Sequence, residues 1–192
     1  RMVVAAAGNL DHDQLVTAVQ EVFSDIAIGV ETPQEPARYT GGEARQSRDL
    51  EQVHLALGFE GVSFSDPDYF ALSVMSTILG GGMSSRLFQE VREERGLVYT
   101  IYSFASSYLD GGLFGVYAGT GEDEAETVVP VICDILSGLA NTVSDQELKR
   151  AKAQIKAGIL MSLESTASRC EQLARQILVL GRPLPPDEIS SR

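Results

Sequence analysis

Apolar and polar positions alternate along the chain in ways that predict both strands and helices. In residues 53–59 apolar side chains occupy every second position, which is the period of a half-buried strand. Two further apolar runs, 97–108 and 113–120, lie on either side of an Asp110-Gly111 pair that favours a β-hairpin. Residues 2–7 form a short apolar run that predicts another, buried strand. The chain therefore has four predicted strands, two of them joined as a hairpin.

Helical segments lie between these strands. Asp11 can cap a first helix, whose apolar stripe covers residues 15–23. The sequence Ser-Asp-Pro-Asp at 65–68 supplies a cap, a first-turn proline and early acids for a second helix, which ends at the glycine run 80–82. Two helices of the length typical of globular proteins are therefore predicted before residue 84.

The remaining helices follow in the second half of the chain. A third helix covers residues 84–95, with Gly96 suited to its end. A fourth covers 122–141, where Pro130 predicts a kink or a later start. A capping box at 144–147 opens a long helical region that reaches residue 180, and glycine and prolines then predict a stop and a turn. Helices mixed with antiparallel strands give an α+β fold class, mainly an antiparallel sheet packed by helices.

One domain is predicted over residues 1–192, because this length suits a single core and no repeat divides it. Periodicity is lost from residue 25 to residue 50, where prolines and a Gly-Gly pair indicate an exposed connector within the domain. The chain begins within a predicted strand, which favours the interpretation that it is the C-terminal part of a longer polypeptide.

The amino-acid composition limits which partners and which cellular compartment are expected. A hydrophobic fraction of 44% is enough for a core, whereas a net charge of −12 argues against nucleic acid and anionic membranes as partners. No apolar run approaches the length of a membrane span. Cys133 and Cys170 lack a C-x-x-C spacing and are predicted to be buried free thiols, with a disulfide between them left open. Free thiols favour a cytoplasmic location over a periplasmic one, and the compartment stays unknown.

Several kinds of catalytic site are excluded by spacing. His12 and His54 are the only histidines and belong to no His-x-x-Glu-His or His-x-x-x-His pattern, so no metal site is predicted. His54 lies on the less apolar face of its strand and is expected to be a surface or hydrogen-bonded histidine. The glycine run follows a helix and lacks the lysine of a phosphate loop. No Gly-x-Ser-x-Gly elbow surrounds Ser84 or Ser85, so no catalytic residue is predicted.

The segment 79–102, LGGGMSSRLFQEVREERGLVYTIY, retains a candidate binding site. Arg92 near the end of a helix and Tyr99 on the next strand can converge and donate hydrogen bonds to a peptide carbonyl or an oxyanion. Alternatively, Arg92 pairs with a neighbouring acid and Tyr99 packs in the sheet. The residues alone leave both interpretations open.

Along nearly its whole length the chain resembles the second, non-metal domain of the insulinase and mitochondrial-processing-peptidase family of zinc peptidases. The most specific match is the glycine-rich piece joined to REERGLVY at residues 92–99. Because the glycine turn is short and followed by Ser-Ser-Arg, it is more similar to the bacterial single-polypeptide processing proteases.

The resemblance implies roles for particular residues. In the family the first domain of each half carries an inverted zinc motif, which the second domain has lost. In active members the second domain presents an arginine and a tyrosine, seven positions apart, toward the zinc of the facing half, where they bind the substrate backbone. Arg92 and Tyr99 have this spacing. Gly80, Gly81 and Gly82 lie where some noncatalytic subunits have a longer, substrate-handling loop.

By this resemblance the chain is expected to be the substrate-binding, noncatalytic domain of a zinc metalloendopeptidase, a processing protease that cleaves peptides in a chamber. The alternative is a domain of a catalytically dead core or scaffold subunit. No cofactor is expected in this chain, which should be inactive alone, and zinc is expected in the missing N-terminal domain. The implied partners are a peptide substrate, that zinc-bearing domain, and a second half in a homodimer or a paired half-molecule.

Overall fold

In the computed structural model, which describes residues 2–27, 29 and 35–191, three strands form one antiparallel sheet in the order β1-β3-β2. A π-helix lies between the second α-helix and the second strand. The elements are α1 (His12–Phe23), β1 (Val53–Gly61), α2 (Tyr69–Gly80), the π-helix (Phe88–Glu94), β2 (Thr100–Ser107), β3 (Gly112–Thr120), α3 (Ala125–Thr142), α4 (Asp145–Ser162), α5 (Thr166–Leu180) and α6 (Pro186–Ser191).

The antiparallel sheet and its helices confirm the α+β fold class. The predicted hairpin is also confirmed, because β2 pairs with β3 along its full length and the backbone N–H of Tyr108 donates to Gly111 O at 2.8 Å in the turn. The strand predicted at residues 2–7 is wrong. A strand needs a neighbour for its N–H and C=O groups, and this segment joins no ladder with any strand that the structure describes.

Some helices begin or end at residues other than those predicted, because the hydrogen bonds of local turns and caps compete with those of the helix. The α2 helix begins at Tyr69, four residues after the predicted cap, because Asp66 Oδ1 accepts from the backbone N–H of Asp68 (2.8 Å) in a separate turn. The α3 helix begins at Ala125 and keeps Pro130 inside it. The long helical region predicted from 144 to 180 is present and consists of two helices, since Ser165 caps α5. The predicted stop at Gly181 is confirmed, and after the non-helical residues 181–185 a short α6, which was not predicted, begins at Pro186.

Contacts divide the chain into two compact units, residues 1–35 with 156–192, and residues 36–155. The single domain over 1–192 stays a prediction. In the second unit, one face of the sheet packs against α2, the π-helix and α3, and the apolar side chains there are almost fully buried. The largest of these are Leu79, Leu87, Val91, Val116, Val128 and Ile132.

In the first unit the predicted cap of α1 is confirmed, because the Gln14 backbone N–H donates to Asp11 Oδ1 at 3.0 Å. No residue of α1 is buried, although the sequence gives it an apolar stripe. Both cysteines are free thiols, and Cys133, predicted to be buried, is exposed because it lies on the solvent side of α3.

No single helix in the described part of the chain is long and apolar enough to cross a membrane. Only α3 and α4 taken together meet that criterion, and they are bent by 102° at their junction.

Candidate functional site

Arg92 lies on the π-helix. The third predicted helix is present, but from Phe88 onward its turns are one residue wider than those of an α-helix. Val91 points into the core, and the next residue, Arg92, is exposed. The Arg92 guanidinium carbon lies 4.7 Å from the centre of the Phe88 ring, a cation–π contact. The wider turn thus directs Arg92 outward beside an aromatic ring.

Gly96 ends this helix, as its position in the sequence predicts. Its φ of +64° lies in the left-handed region, and its N–H donates to Arg92 O at 3.2 Å. The next N–H, from Leu97, donates to Val91 O at 3.0 Å, and Leu97 O accepts from Thr120 Oγ1 at 2.5 Å. The turn between helix and sheet is therefore fixed by hydrogen bonds on both sides of the glycine.

Tyr99 lies at an irregularity in the sheet. Its backbone N–H donates to Gly119 O at 2.8 Å, although Gly119 is the register partner of Thr100. Two consecutive residues thus oppose one, as in a β-bulge, which redirects side chains. Val98 and Ile101 both point into the core, and Tyr99 is 61% exposed beside an exposed Thr100. With strict alternation Tyr99 would lie on the same side as the buried Ile101.

The hydrogen-bonding groups of this pair have no partner among the described residues. Within the described residues, neither the Arg92 guanidinium nor the Tyr99 hydroxyl forms a hydrogen bond or an ion pair. The alternative in which Arg92 pairs with a neighbouring acid and Tyr99 packs in the sheet therefore differs from the structure. The pair offers up to five N–H donors and one O–H to a ligand. Its binding role stays a prediction.

The glycine run forms a tight support beneath the π-helix. A Cβ on Gly80 would lie 2.2 Å from the backbone nitrogen of Ser103, so only glycine lets α2 approach β2 this closely. Gly82 has a φ of +147°, which side chains strain to adopt. The three glycines therefore serve close packing and a sharp turn at the start of the segment that carries Arg92.

Carbonyl groups of this turn are occupied by side chains. Gly81 O accepts from Gln154 Nε2 at 2.6 Å, and Ser84 O accepts from Arg150 Nη2 at 2.9 Å. Met83 O accepts from Gln89 Nε2 at 2.6 Å. These bonds hold the turn to α4 and to the π-helix, so the turn is fixed in place and has few backbone acceptors left for a ligand.

Arg86 has a structural role that sequence reasoning missed. Its Nε lies 2.7 Å from Glu147 Oε1, and its terminal nitrogens donate to Glu147 Oε2, Thr142 Oγ1 and Thr142 O. The pair is mostly buried, with side-chain exposures of 16% and 18%. Glu147 also completes the predicted capping box, accepting from Ser144 N at 2.8 Å. The hydrogen bond from Arg86 lowers the pKa of Glu147 to about 2.

Neither histidine suggests a metal centre. His54 Nδ1 lies 2.7 Å from the Tyr117 hydroxyl oxygen, which confirms the prediction of a hydrogen-bonded strand histidine. No group of three or more His, Cys, Asp or Glu side chains within the described ranges is arranged to hold a metal ion. The described residues therefore do not fit a zinc site.

Comparison with known sequences gives one family. The profile described as the Peptidase M16 inactive domain matches residues 1–155. An uncharacterised zinc protease of Rickettsia felis is 36% identical over 189 residues, covering 98% of this chain and 46% of the relative. One from Mycobacterium tuberculosis is 41% identical over 189 residues, covering 95% and 43%. The chain spans about half the length of the curated relatives it matches.

Solved structures agree in fold. The peptidase M16 inactive domain from Pseudomonas fluorescens superposes with a TM-score of 0.59 and 30% identity, covering 73% of this chain and 37% of that one. A chain of Complex III2 from Candida albicans superposes with a TM-score of 0.82 and 24% identity, covering 96% and 46%. At that identity the second likeness shows the fold alone.

Proposed function

Because the chain belongs to the M16 peptidase family, as its inactive domain, we propose that it is the noncatalytic, substrate-binding half of a zinc metalloendopeptidase. The relatives named zinc proteases are about twice as long, and the part of this chain that the structure describes holds no group of side chains that fits a zinc site. The zinc then belongs to another half, and this half contributes contacts to the peptide. The protein that contains both this chain and the zinc-bearing half is called the complete protease below.

The observation that carries this proposal is the unpartnered state of Arg92 and Tyr99. Both side chains are exposed, yet each follows a buried valine, Val91 or Val98, that anchors its backbone. A guanidinium and a phenol held in this way can donate hydrogen bonds to peptide carbonyl oxygens without first leaving other partners. Such preorganised donors bind a substrate backbone irrespective of its side chains.

The sheet offers a second element for peptide binding. In the order β1-β3-β2, strand β2 is at an edge and pairs only with β3 within the described sheet. An extended peptide can add to such an edge by backbone hydrogen bonds. Tyr99 lies directly before β2, so a peptide paired there would pass its hydroxyl. The chamber would be completed by the facing half of a homodimer or a paired half-molecule.

The proposal is tested by peptide cleavage in the complete protease. Arg92→Ala should lower kcat/KM by about tenfold to a hundredfold, because hydrogen bonds from charged donors contribute about 1.5–3 kcal/mol. Tyr99→Phe should lower it by about tenfold through loss of one neutral hydrogen bond. Arg95→Ala and Tyr108→Phe are the matched controls. Arg95 is an exposed arginine three residues away, and Tyr108 is 61% exposed, as Tyr99 is.

The two controls should leave kcat/KM unchanged. If kcat/KM is unchanged in both Arg92→Ala and Tyr99→Phe, the proposed role of these residues in peptide binding is wrong. A complete protein that assembles but cleaves no peptide would favour the scaffold alternative.

A further inference from the structure

The sheet has a second face that no helix of its own unit fills. Cross-strand register places four rows of three residues on it; the row nearest the hairpin turn holds Glu60, Leu113 and Ser106, and the other three rows hold nine residues. Row by row these are His54, Gly119 and Thr100, then Ala56, Tyr117 and Tyr102, then Gly58, Gly115 and Phe104. We call these nine residues the aromatic face. The opposite face carries the core side chains Val116 and Ala118, so the sheet is apolar on both sides.

The rings on this face are held by one another and by the small residues between them. Tyr102 stacks on Tyr117 with ring centres 5.0 Å apart, and the Tyr117 hydroxyl meets His54 Nδ1 at 2.7 Å. Phe104 lies over Gly115, where a Cβ would come within 2.4 Å of its ring. The aromatic face is therefore a preformed surface with fixed rings.

Five of the nine residues are exposed, and the surface they form is uncharged in a strongly charged chain. None of its nine residues is Asp, Glu, Lys or Arg, although such residues make up 22% of the sequence and the exposed Glu60 lies in the adjoining row. Tyr102 is 45% exposed. Aromatic side chains that adjoin one another at the surface can contact the apolar side chains of a ligand. The β-bulge also places Tyr99 beside Thr100, so the face is continuous with the Arg92–Tyr99 site.

The size and charge of the aromatic face indicate which kind of molecule binds there. Three strands over five residues cover roughly 10 by 14 Å, from ordinary strand spacings. A stable protein interface buries about 800 Å² on each partner, several times more than this patch offers. The face also carries no positive charge that would attract a second copy of a chain with net charge −12. The patch instead matches two or three side chains of a bound peptide.

We propose that the aromatic face is a specificity subsite for peptides with apolar or aromatic side chains at alternate positions. This inference rests on the proposed function, in which Arg92 and Tyr99 hold the peptide backbone. A peptide paired along the outer edge of β2 presents every second side chain to the face on which Tyr102 and Phe104 lie. Arg92 and Tyr99 bind any backbone, and the aromatic face selects among sequences.

The test compares two peptides in the complete protease. They have equal length and no proline, and differ only in carrying Phe or Ala at two alternate positions. The ratio of their kcat/KM values measures selection by the face. Tyr102→Thr should reduce this ratio about tenfold, as expected for loss of an apolar subsite, and should leave the Ala peptide unchanged. Tyr108→Thr, at the hairpin turn outside the face, should leave the ratio unaltered.

Arg92→Ala separates this inference from the proposed function, because it should slow both peptides equally and preserve the ratio. Suppose that Arg92→Ala slows the cleavage of both peptides, whereas Tyr102→Thr leaves the ratio of their kcat/KM values unchanged. The subsite is then wrong and the proposed function stands. If Arg92→Ala and Tyr99→Phe slow neither, the proposed function fails and the subsite fails with it.

A second measurement needs no variant of the protein. Moving the two Phe residues to adjacent positions places them on opposite faces of an added strand. The unaltered complete protease should then cleave this peptide several-fold more slowly than the one with alternate Phe residues. Equal rates for the two peptides would overturn the subsite.

Discussion

Two arginines six residues apart, Arg86 and Arg92, have opposite surroundings. Arg86 is mostly buried and donates four hydrogen bonds, to Glu147 and Thr142. Arg92 is exposed, and its nitrogens contact no acceptor among the described residues. The first arginine ties the segment that carries the site to the junction of α3 and α4. The second keeps its donors available, so in the proposed function stability and peptide binding depend on different residues of one short segment.

The largest effect is expected from breaking the first arginine's contacts. Arg86→Ala leaves the Glu147 carboxylate mostly buried without its cation and should lower the free energy of unfolding by about 3–4 kcal/mol. Urea unfolding of the variant and the parent protein measures this. Lys152→Ala, an exposed position on α4, is the control and should leave the midpoint unchanged. If Arg86→Ala has the same urea midpoint as Lys152→Ala, Arg86 does not stabilise the fold and its contrast with Arg92 is lost.

Acid should weaken the same contact. The pKa of Glu147 falls from its ordinary 4.5 to about 2 on folding, first because Arg86 donates to it and also because Ser144 does. A lowered folded-state pKa stabilises the protein above the unfolded value, and this stability is lost as pH falls from about 5 toward 2. The full loss from this group is about 3 kcal/mol.

Urea unfolding at pH 6, 4 and 3 detects this loss. In Arg86→Ala the pKa of Glu147 returns toward its ordinary value, so the variant should lose less stability over the same range. If the variant and the parent protein lose the same unfolding free energy between pH 6 and pH 3, the Arg86–Glu147 pair is not the cause of the acid destabilisation.

The smallest effect on stability is expected at the site itself. Arg92→Ala gives up only an exposed cation–π contact with Phe88, and Tyr99→Phe removes a hydroxyl without a partner, so each should change unfolding free energy by less than about 1 kcal/mol. Thermal unfolding checks both. A loss at Arg92 as large as that at Arg86 would make both arginines structural.

Local signals in the sequence predicted their elements well. The Ser144–Glu147 capping box and the stop at Gly96 were confirmed because each depends on residues within one turn of the chain. The hairpin was confirmed for the same reason, since the Asp-Gly pair lies between two adjacent strands. The spacing of Arg92 and Tyr99 was visible, but the directions of their side chains were not.

Non-local contacts explain what the sequence did not show. Glu147 is 61 positions from Arg86, so no spacing pattern could join them. The strand predicted at 2–7 depended on a pairing partner that its apolar run does not specify. The wide helical turn and the β-bulge arise because Val91 and Val98 reach the core, and residue propensities do not determine such a choice.

The π-helix and the β-bulge also have a consequence for how this segment tolerates changes in chain length. Each irregularity holds one residue more than the regular element, so deletion of a single residue from either would yield a more ideal helix or strand. That more regular protein would turn Arg92 or Tyr99 away from its present direction. Between residues 88 and 100, a one-residue deletion is therefore compatible with the fold, whereas in the proposed function it would remove a contact to the peptide.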